Sequence, residues 1–265
     1  PMIVAPAMDK NMANSKIIKQ NLKEVKKFAT VLDPIMIEGK AKLPSKFRIT
    51  AEACKIAGKN DLKKNKILVI GGGSSEEIDD VRVITNKSTG KMAKHLAEAA
   101  FNMGADVELW MGETTEVVGE WISQQKFKSV EDLSKKIKKL SKYDAILVPA
   151  ALSDFVPVKT KGKISSQKIP EIKLKKAKKV IELLRKKHKG KLCAFKLESG
   201  LTDNKLIEKG KTLLKNADIV VANHSEVLGD ENTKLAIITK KGNKWIEDTK
   251  INASKQILKE IVKKI

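Results

Sequence analysis

From Lys66 onward the chain alternates between short apolar runs and amphipathic helical stripes, and this alternation limits the fold more than any other feature. The apolar runs fall at 66–70, 106–110, 145–149, 191–197, 218–222 and 235–239. Between them lie stripes at helical spacing: Met92, Leu96, Ala99 and Met103; then Val130, Leu133, Ile137 and Leu140. Further stripes are Val180, Leu183 and Leu184; Leu206, Leu213 and Leu214; and Ala253, Ile257 and Ile261. Strands that alternate with helices at this period predict an α/β fold: a mainly parallel sheet in three layers, with helices on both faces. Such sheets bind ligands beyond the carboxyl ends of their strands. The stretch around "KKGNK", between 235–239 and 244–248, reads as a hairpin, so part of the sheet is expected to be antiparallel.

The first 58 residues read as a separate small unit. Met2–Ala5 is strand-like, and Ile18, Leu22, Val25 and Ala29 repeat at helical spacing. Thr30–Lys46 is broken by Pro34, Gly39 and Pro44 and is expected to be irregular; a short helix is expected over Thr50–Ala57. The polar stretch "GKNDLKKNK" (58–66) reads as a linker, which divides the chain into 1–58 and 59–265. With Pro1 first and Met2 second, the chain is expected to be a piece of a longer protein. No apolar run approaches the roughly 18 residues of a membrane span, and no signal peptide opens the chain. Cys54 and Cys193 form no metal spacing or disulfide framework, so a reducing, cytoplasmic setting is expected.

The formal net charge is +22, almost all of it lysine, since arginine occurs only at Arg48, Arg82 and Arg185. Aromatic residues make up 4% of the chain, so the aromatic and arginine clusters of a nucleic-acid surface are missing. A solvated lysine surface is the plainer reading. Attraction of a polyanionic small substrate is another.

Gly71-Gly72-Gly73 follows a strand, as in a Rossmann-like fold. The dinucleotide motif G-x-G-x-x-G needs glycine at Glu76, and a Walker loop ending at Gly90-Lys91 needs glycine at Thr85 and Ser or Thr at Met92. Both fail. Ser88-Thr89-Gly90 opens a helix, where free N–H groups favour an anion, although Ser and Thr also serve there as plain caps. After 145–149, Ala150 and Ala151 are small enough to let a ligand approach the backbone, and Asp154 follows. The lysine- and glycine-rich "KTKGKISSQKIP" then reads as a mobile flap or a solvated loop. Lys211 and Lys215 stand four apart on an expected helix. His95, His188 and His224 are isolated in sequence.

Taken together, "GGGSSEEIDDVRVITNKSTGKM", "AALSDF", "AFKLES" and "KTLLKNADIVVAN" resemble phosphopantothenate–cysteine ligase, an enzyme of coenzyme A biosynthesis. In the first motif Glu77, Ile78, Asp79, Val81, Arg82, Ile84, Asn86, Ser88, Gly90, Lys91 and Met92 all match, and the resemblance spans 66–265. The opening "PMIVAPAMDKNM" resembles the end of a flavin-dependent phosphopantothenoylcysteine decarboxylase, with Asp9 in place of the motif asparagine. That enzyme is fused ahead of the ligase in many organisms. Its flavin-binding start would lie upstream of Pro1, so FMN is expected only in a full-length protein and no decarboxylation is expected of this chain. The family's flap cysteine has no counterpart in "EGKAKLP", and the role does not pass to Cys54.

The resemblance implies that 4′-phosphopantothenate is joined to cysteine in two steps. Its carboxylate attacks the α-phosphate of CTP (or ATP), releasing pyrophosphate, and cysteine's amine then displaces the nucleoside monophosphate. Asn86 would hold the acyl-nucleotide, Arg82 would bind phosphopantothenate, Ala151 would form the backbone shelf under the intermediate and Lys163 would reach the phosphates. Nucleotide contacts are implied at Gly72, Ser88, Gly90, Val148, Pro149, Ala150, Asp154, Lys163, Phe195, Lys211 and Lys215. Mg²⁺ is implied as well, with Asp154 as a candidate ligand, and so are a homodimer of ligase units and a decarboxylase domain in the full-length chain. Plainer readings stand beside these: Asn86 as a turn residue, Arg82 as a surface ion pair with Glu77 or Asp79, and Phe195 as core. Two other functions remain open, a dinucleotide-dependent oxidoreductase and a basic nucleic-acid-binding module. The resemblance favours neither, and it implies no nucleic-acid or membrane partner.

Overall fold

In the computed structural model, which describes residues 1–165, 167, 169–227 and 229–263, the apolar runs become the centre of one eight-stranded sheet. Its strands are β1 (Lys66–Gly71), β2 (Asp106–Met111), β3 (Ser123–Lys126), β4 (Ala145–Val148), β5 (Lys191–Glu198), β6 (Ile219–His224), β7 (Asn232–Thr239) and β8 (Gly242–Thr249). Their spatial order is β8-β7-β6-β5-β4-β1-β2-β3. Strands β1 to β6 run parallel, while β7 is antiparallel to both β6 and β8. The hairpin read from "KKGNK" is therefore present, at one edge.

Side chains alternate across the sheet as a strand's period of two requires. Ile67, Val69, Leu109, Leu147 and Val221 face one layer, formed by α1 (Lys91–Asn102), the helix Lys46–Ala57 and a C-terminal helix, Lys250–Val262. Leu68, Ile70, Ile146, Leu192 and Val220 face the other, formed by α2 (Val130–Lys138), α3 (Val180–Lys187) and α4 (Asp203–Lys211). The helix Lys250–Val262 is α5. Most of these strand residues have no exposed surface, and full burial of each such side chain contributes about 1.5–3 kcal/mol. Helix boundaries follow local chemistry. The α2 N-cap Ser129 accepts from the Asp132 amide, Glu131 and Asp132 occupy the first turn, and Lys135, Lys136 and Lys138 occupy the last, matching the helix dipole at both ends.

The N-terminal segment departs from expectation at several points. Residues 30–46 are not irregular. Thr30–Val31 pairs in parallel with Ile3–Val4, and Ile35–Ile37 forms a hairpin with Lys40–Lys42. The following helix starts at Lys46, earlier than Thr50, because Ser45 caps the Arg48 amide. The polar stretch 58–66 is tied down: Leu62 is fully buried and its amide donates to the Met103 carbonyl at 3.0 Å.

Two small hairpins project from the sheet's carboxyl end. One pairs Ser75–Glu77 with Val83–Thr85, the other Phe155–Pro157 with Leu174–Lys176. They are joined where the Thr160 amide donates to the Ile78 carbonyl at 2.9 Å and where Lys159 bridges Glu77 and Asp80. We refer to them together as the arm.

Candidate active site

The chain runs from β1 outward through β2 and β3, then returns to place β4 on the other side of β1. This reversal opens a crevice at the carboxyl ends of β1 and β4, the place where such sheets bind ligands. The two loops leaving these strands are bonded to each other. The Ala151 amide donates to the Gly72 carbonyl at 2.9 Å, and the Ser74 amide to the Ala151 carbonyl at 3.1 Å. Gly72 has φ +75°, and a Cβ there would lie 2.7 Å from the Glu113 carbonyl oxygen, so only glycine lets the β1 loop pass this close to the loop that follows β2. Ser74, fully buried, shares a 3.0 Å hydrogen bond with the Ser153 hydroxyl and accepts from the Ser153 amide.

Asn86 is fixed over this junction. Its side-chain amide donates to the Ala151 carbonyl at 2.9 Å, and its own carbonyl accepts from the Ser88 amide at 2.8 Å. The Ser88-Thr89-Gly90 turn then enters α1 through Gly90, at φ +80°, where a Cβ would lie 2.4 Å from the Thr114 hydroxyl oxygen. Beneath lies a cleft of about 680 Å³. Of the residues expected at a site, Asn86, Ser88, Gly90, Val148, Pro149, Ala150, Ala151, Asp154, Phe195 and Lys215 line it. Gly72 sits immediately behind, through its bond to Ala151. Among the described residues the lining holds seven lysines against Asp154 and Glu182, a cationic surface suited to a polyanion.

Three expected residues lie elsewhere. Arg82 is on the arm, where it donates to Asp79 at 2.8 Å and to the Ile164 carbonyl at 3.2 Å; this is the ion-pair reading of Arg82. Asp79 is buried and also accepts from the amides of Ile164, Val81 and Arg82. Led by the Ile164 amide, these bonds hold its carboxyl down at about 2. Lys163 is exposed on the same arm and does not line the cleft. Its neighbours Gly162 and Ile164 are bonded to Asp80 and Asp79, so residues 159–164 of the stretch read as a mobile flap or a solvated loop are bonded to the first hairpin. Residues 166 and 168 of that stretch fall outside those described. Lys211 is the last residue of α4 and also lies off the cleft, because Thr212–Lys215 tightens into a 3₁₀ turn. The two lysines therefore do not share an α-helical face, and Thr212 lines the cleft where Lys211 was expected.

Apart from Lys91, a matched position of the first motif, the other cleft residues carried no sequence signal. Lys179 pairs with Asp154 at 2.6 Å. Lys196 pairs with Glu198 at 2.7 Å, and its hydrogen bond is the main cause of that glutamate's lowered pKa. Lys91 pairs with Glu231 at 2.6 Å, and Lys250 is buried with its ammonium on the Asp230 carbonyl. In a chain this rich in lysine, no individual lysine stands out before the fold brings it to a wall.

The path after β1 is decisive against a dinucleotide loop. The chain enters the hairpin Ser75–Glu77/Val83–Thr85 and reaches a helix only at Lys91. Glu76, where the third glycine would stand, is buried and accepts from the Val130 amide at 2.9 Å. Residues 62–265 match the family described as DNA/pantothenate metabolism flavoprotein C-terminal domain. The chain belongs to this family. It is 34% identical over 99% of its length to the coenzyme A biosynthesis bifunctional protein CoaBC of Methanocaldococcus jannaschii, and 33% identical over 90% to that of Thermococcus kodakarensis. It spans 67% and 61% of those proteins. Among solved structures, the DNA/pantothenate metabolism flavoprotein from Streptococcus pneumoniae superposes with a TM-score of 0.68 at 26% identity, covering 74% of this chain and 98% of that one. The C-terminal domain of a coenzyme A biosynthesis bifunctional protein CoaBC gives 0.63 at 27% identity, covering 77% and 97%. The fold and the family expected from the motifs are those found.

Proposed function

We propose that this chain is a nucleotide-dependent ligase that joins 4′-phosphopantothenate to cysteine through an acyl-nucleotide, with CTP as the nucleotide. The observation that carries the reading is the junction of Asn86, Ala151 and the Ser88–Gly90 turn over a lysine-lined cleft at the strand switch point. Relatives at 33–34% identity are named for coenzyme A biosynthesis.

Both half-reactions move charge more than they need a special nucleophile. When the pantothenate carboxylate oxygen attacks the α-phosphorus, negative charge gathers on phosphate oxygens. Lys215 and Lys179, both on the cleft wall, are placed to stabilise it, and the leaving pyrophosphate with it. Asn86 and the backbone of Ala150-Ala151 orient the acyl group for cysteine's amine, which displaces the monophosphate and loses its proton. Phe195, on the cleft wall, offers a flat apolar surface for the base. Mg²⁺ bound to a triphosphate commonly takes only one or two protein carboxylates. Asp154 fits such a ligand once Lys179 turns to the phosphates, and the ion would supply charge neutralisation there.

The arm supports a homodimer. Val81 (65% exposed), Val83, Phe155, Val158 and Leu174 leave an apolar face uncovered, and a second copy of the arm is the partner proposed for it. Arg82 and Lys163 on that arm are proposed to act on phosphopantothenate and phosphates within the assembled pair. The division near residue 58, an upstream FMN-binding decarboxylase in the longer protein and a cytoplasmic location complete the reading. No helix among the described residues is long and apolar enough to cross a membrane.

The test is pyrophosphate release with 4′-phosphopantothenate, cysteine and each of four nucleoside triphosphates in turn. Release that requires phosphopantothenate and is fastest with CTP supports the proposal. Release indifferent to phosphopantothenate sinks it.

A further inference from the structure

Lys91, on the cleft wall, and Glu231 are an unequal pair. The lysine ammonium lies 2.6 Å from Glu231 Oε1 and 2.9 Å from the Gly229 carbonyl oxygen. Its side chain is 18% exposed, whereas that of Glu231 is 72% exposed. The cation is therefore lodged in the wall and the carboxylate reaches it from solvent. An exposed carboxylate in such a pair contributes little net stability, so another anion can replace it at small cost.

The surroundings reinforce the cation. Lys250, itself on the cleft wall, is 6% exposed. Burial first, and then the charge of Lys91, lower its pKa. Its amide donates to the Glu231 carbonyl at 2.8 Å and its ammonium to the Asp230 carbonyl. Lys94 is already matched by Glu116 at 3.0 Å. Asp230 and the imidazole of His95 complete the ionisable groups around the pair. The hydrogen bond that Lys91 donates to Glu231 is the main cause of the raised pKa of Lys91. If Glu231 swings out, Lys91 becomes a desolvated ammonium facing the same cleft as Ser88 and Gly90.

We propose that Lys91 is a phosphate-binding lysine of this cleft and that Glu231 holds its place, as an internal carboxylate, until a phosphate group displaces it. The proposal rests on the reading that the cleft takes a phosphate-bearing ligand, and it adds a binding lysine and a built-in competitor. A purely structural pair, fastening residues 229–231 to α1, would behave differently: breaking it from either side would loosen the same wall and weaken binding. A competitor and a binder instead give opposite signs.

The experiment is titration calorimetry of this chain with inorganic pyrophosphate, in the absence of any other substrate. Lys91→Gln should weaken binding about tenfold or more, the scale of one charge-assisted hydrogen bond. Glu231→Gln should tighten it by roughly two- to tenfold. Lys91→Arg, which keeps the charge, should retain most of the affinity. The proposal is overturned if Glu231→Gln weakens binding or leaves it unchanged, if Lys91→Gln has no effect, if Lys91→Arg loses binding as fully as Lys91→Gln, or if the wild-type chain binds no pyrophosphate. Because neither phosphopantothenate nor cysteine is present, the predicted signs without ligase turnover would refute only the ligase reading.

Discussion

On the proposed ligase reading, replacing Asn86 by Asp should separate the two half-reactions. The wild-type side chain donates to the Ala151 carbonyl at 2.9 Å. Aspartate keeps the shape but sets a carboxylate oxygen against that carbonyl oxygen. One hydrogen bond, about 0.5–1.5 kcal/mol, becomes a repulsion of similar size, so the Asn86–Ser88 turn moves off the Ala151 shelf. The new charge also repels the phosphate of an acyl-nucleotide. A displacement of about 1 Å costs on the order of 10² in rate, or about 2.7 kcal/mol, which matches the sum of the two local effects. The cost should fall on the amine's attack, because the proposed activation step leans on the lysines around the phosphates rather than on Asn86. Mass spectrometry of quenched turnovers should therefore show phosphopantothenoyl-nucleotide accumulating with cysteine present. Full product at the wild-type rate, with no intermediate, would make Asn86 a turn residue and refute the reasoning.

Gly72→Ala forces a side chain into φ +75° and against the Glu113 carbonyl; left-handed strain of about 1–2 kcal/mol and overpacking of about 1–3 should lower Tm by roughly 4–15 °C in a thermal melt. Lys215→Ala should raise the nucleotide KM about tenfold, while Lys211→Ala, off the cleft, should change it less than about threefold. Equal effects in steady-state kinetics would mean that α4 continues through Thr212 when nucleotide binds. Asp79 has its carboxyl depressed to about 2 from an ordinary 3.8, so the stability it gives the arm is fully present above the unfolded value and is lost as pH falls through the folded one. The protection of the Ile164 and Arg82 amides from hydrogen exchange, taken relative to the free-amide rate at each pH, should hold down to about pH 4 and fall toward pH 2; a fall already near pH 5 would contradict this.

The six interior strands could be read from the sequence because burial on both faces makes them continuous apolar runs, as in Lys66–Gly71 and Ala145–Val148. Edge strand β3 could not: Ser123–Lys126 reads "SQQK", every residue is exposed, and pairing with β2 is its only reason to be extended. The two arm hairpins were hidden in a related way: each strand is three residues long, and Val83–Thr85 and Leu174–Lys176 are exposed throughout. At the site, Ala150-Ala151 and Ser88-Thr89-Gly90 were legible because a close backbone approach demands small residues. Lys91 was legible only as a motif position, without its pairing to Glu231; Lys179 and Lys250 were not legible, since their placement depends on Asp154 and Asp230, which are distant in sequence. The shift from α4 to a 3₁₀ turn at Thr212 moves Lys211 off the cleft by a local tightening that the Leu206, Leu213 and Leu214 stripe does not reveal.

The fate of the pantothenate carboxylate oxygens tests the central claim most directly. With 4′-phosphopantothenate labelled by heavy oxygen in its carboxylate, and with CTP and cysteine supplied, the account predicts that one labelled oxygen leaves in the nucleoside monophosphate and the other stays in the new amide. The monophosphate's mass would show this after a single turnover. Label in inorganic phosphate, with none in the monophosphate, would mean attack at the γ-phosphorus and would contradict an acyl-nucleotide.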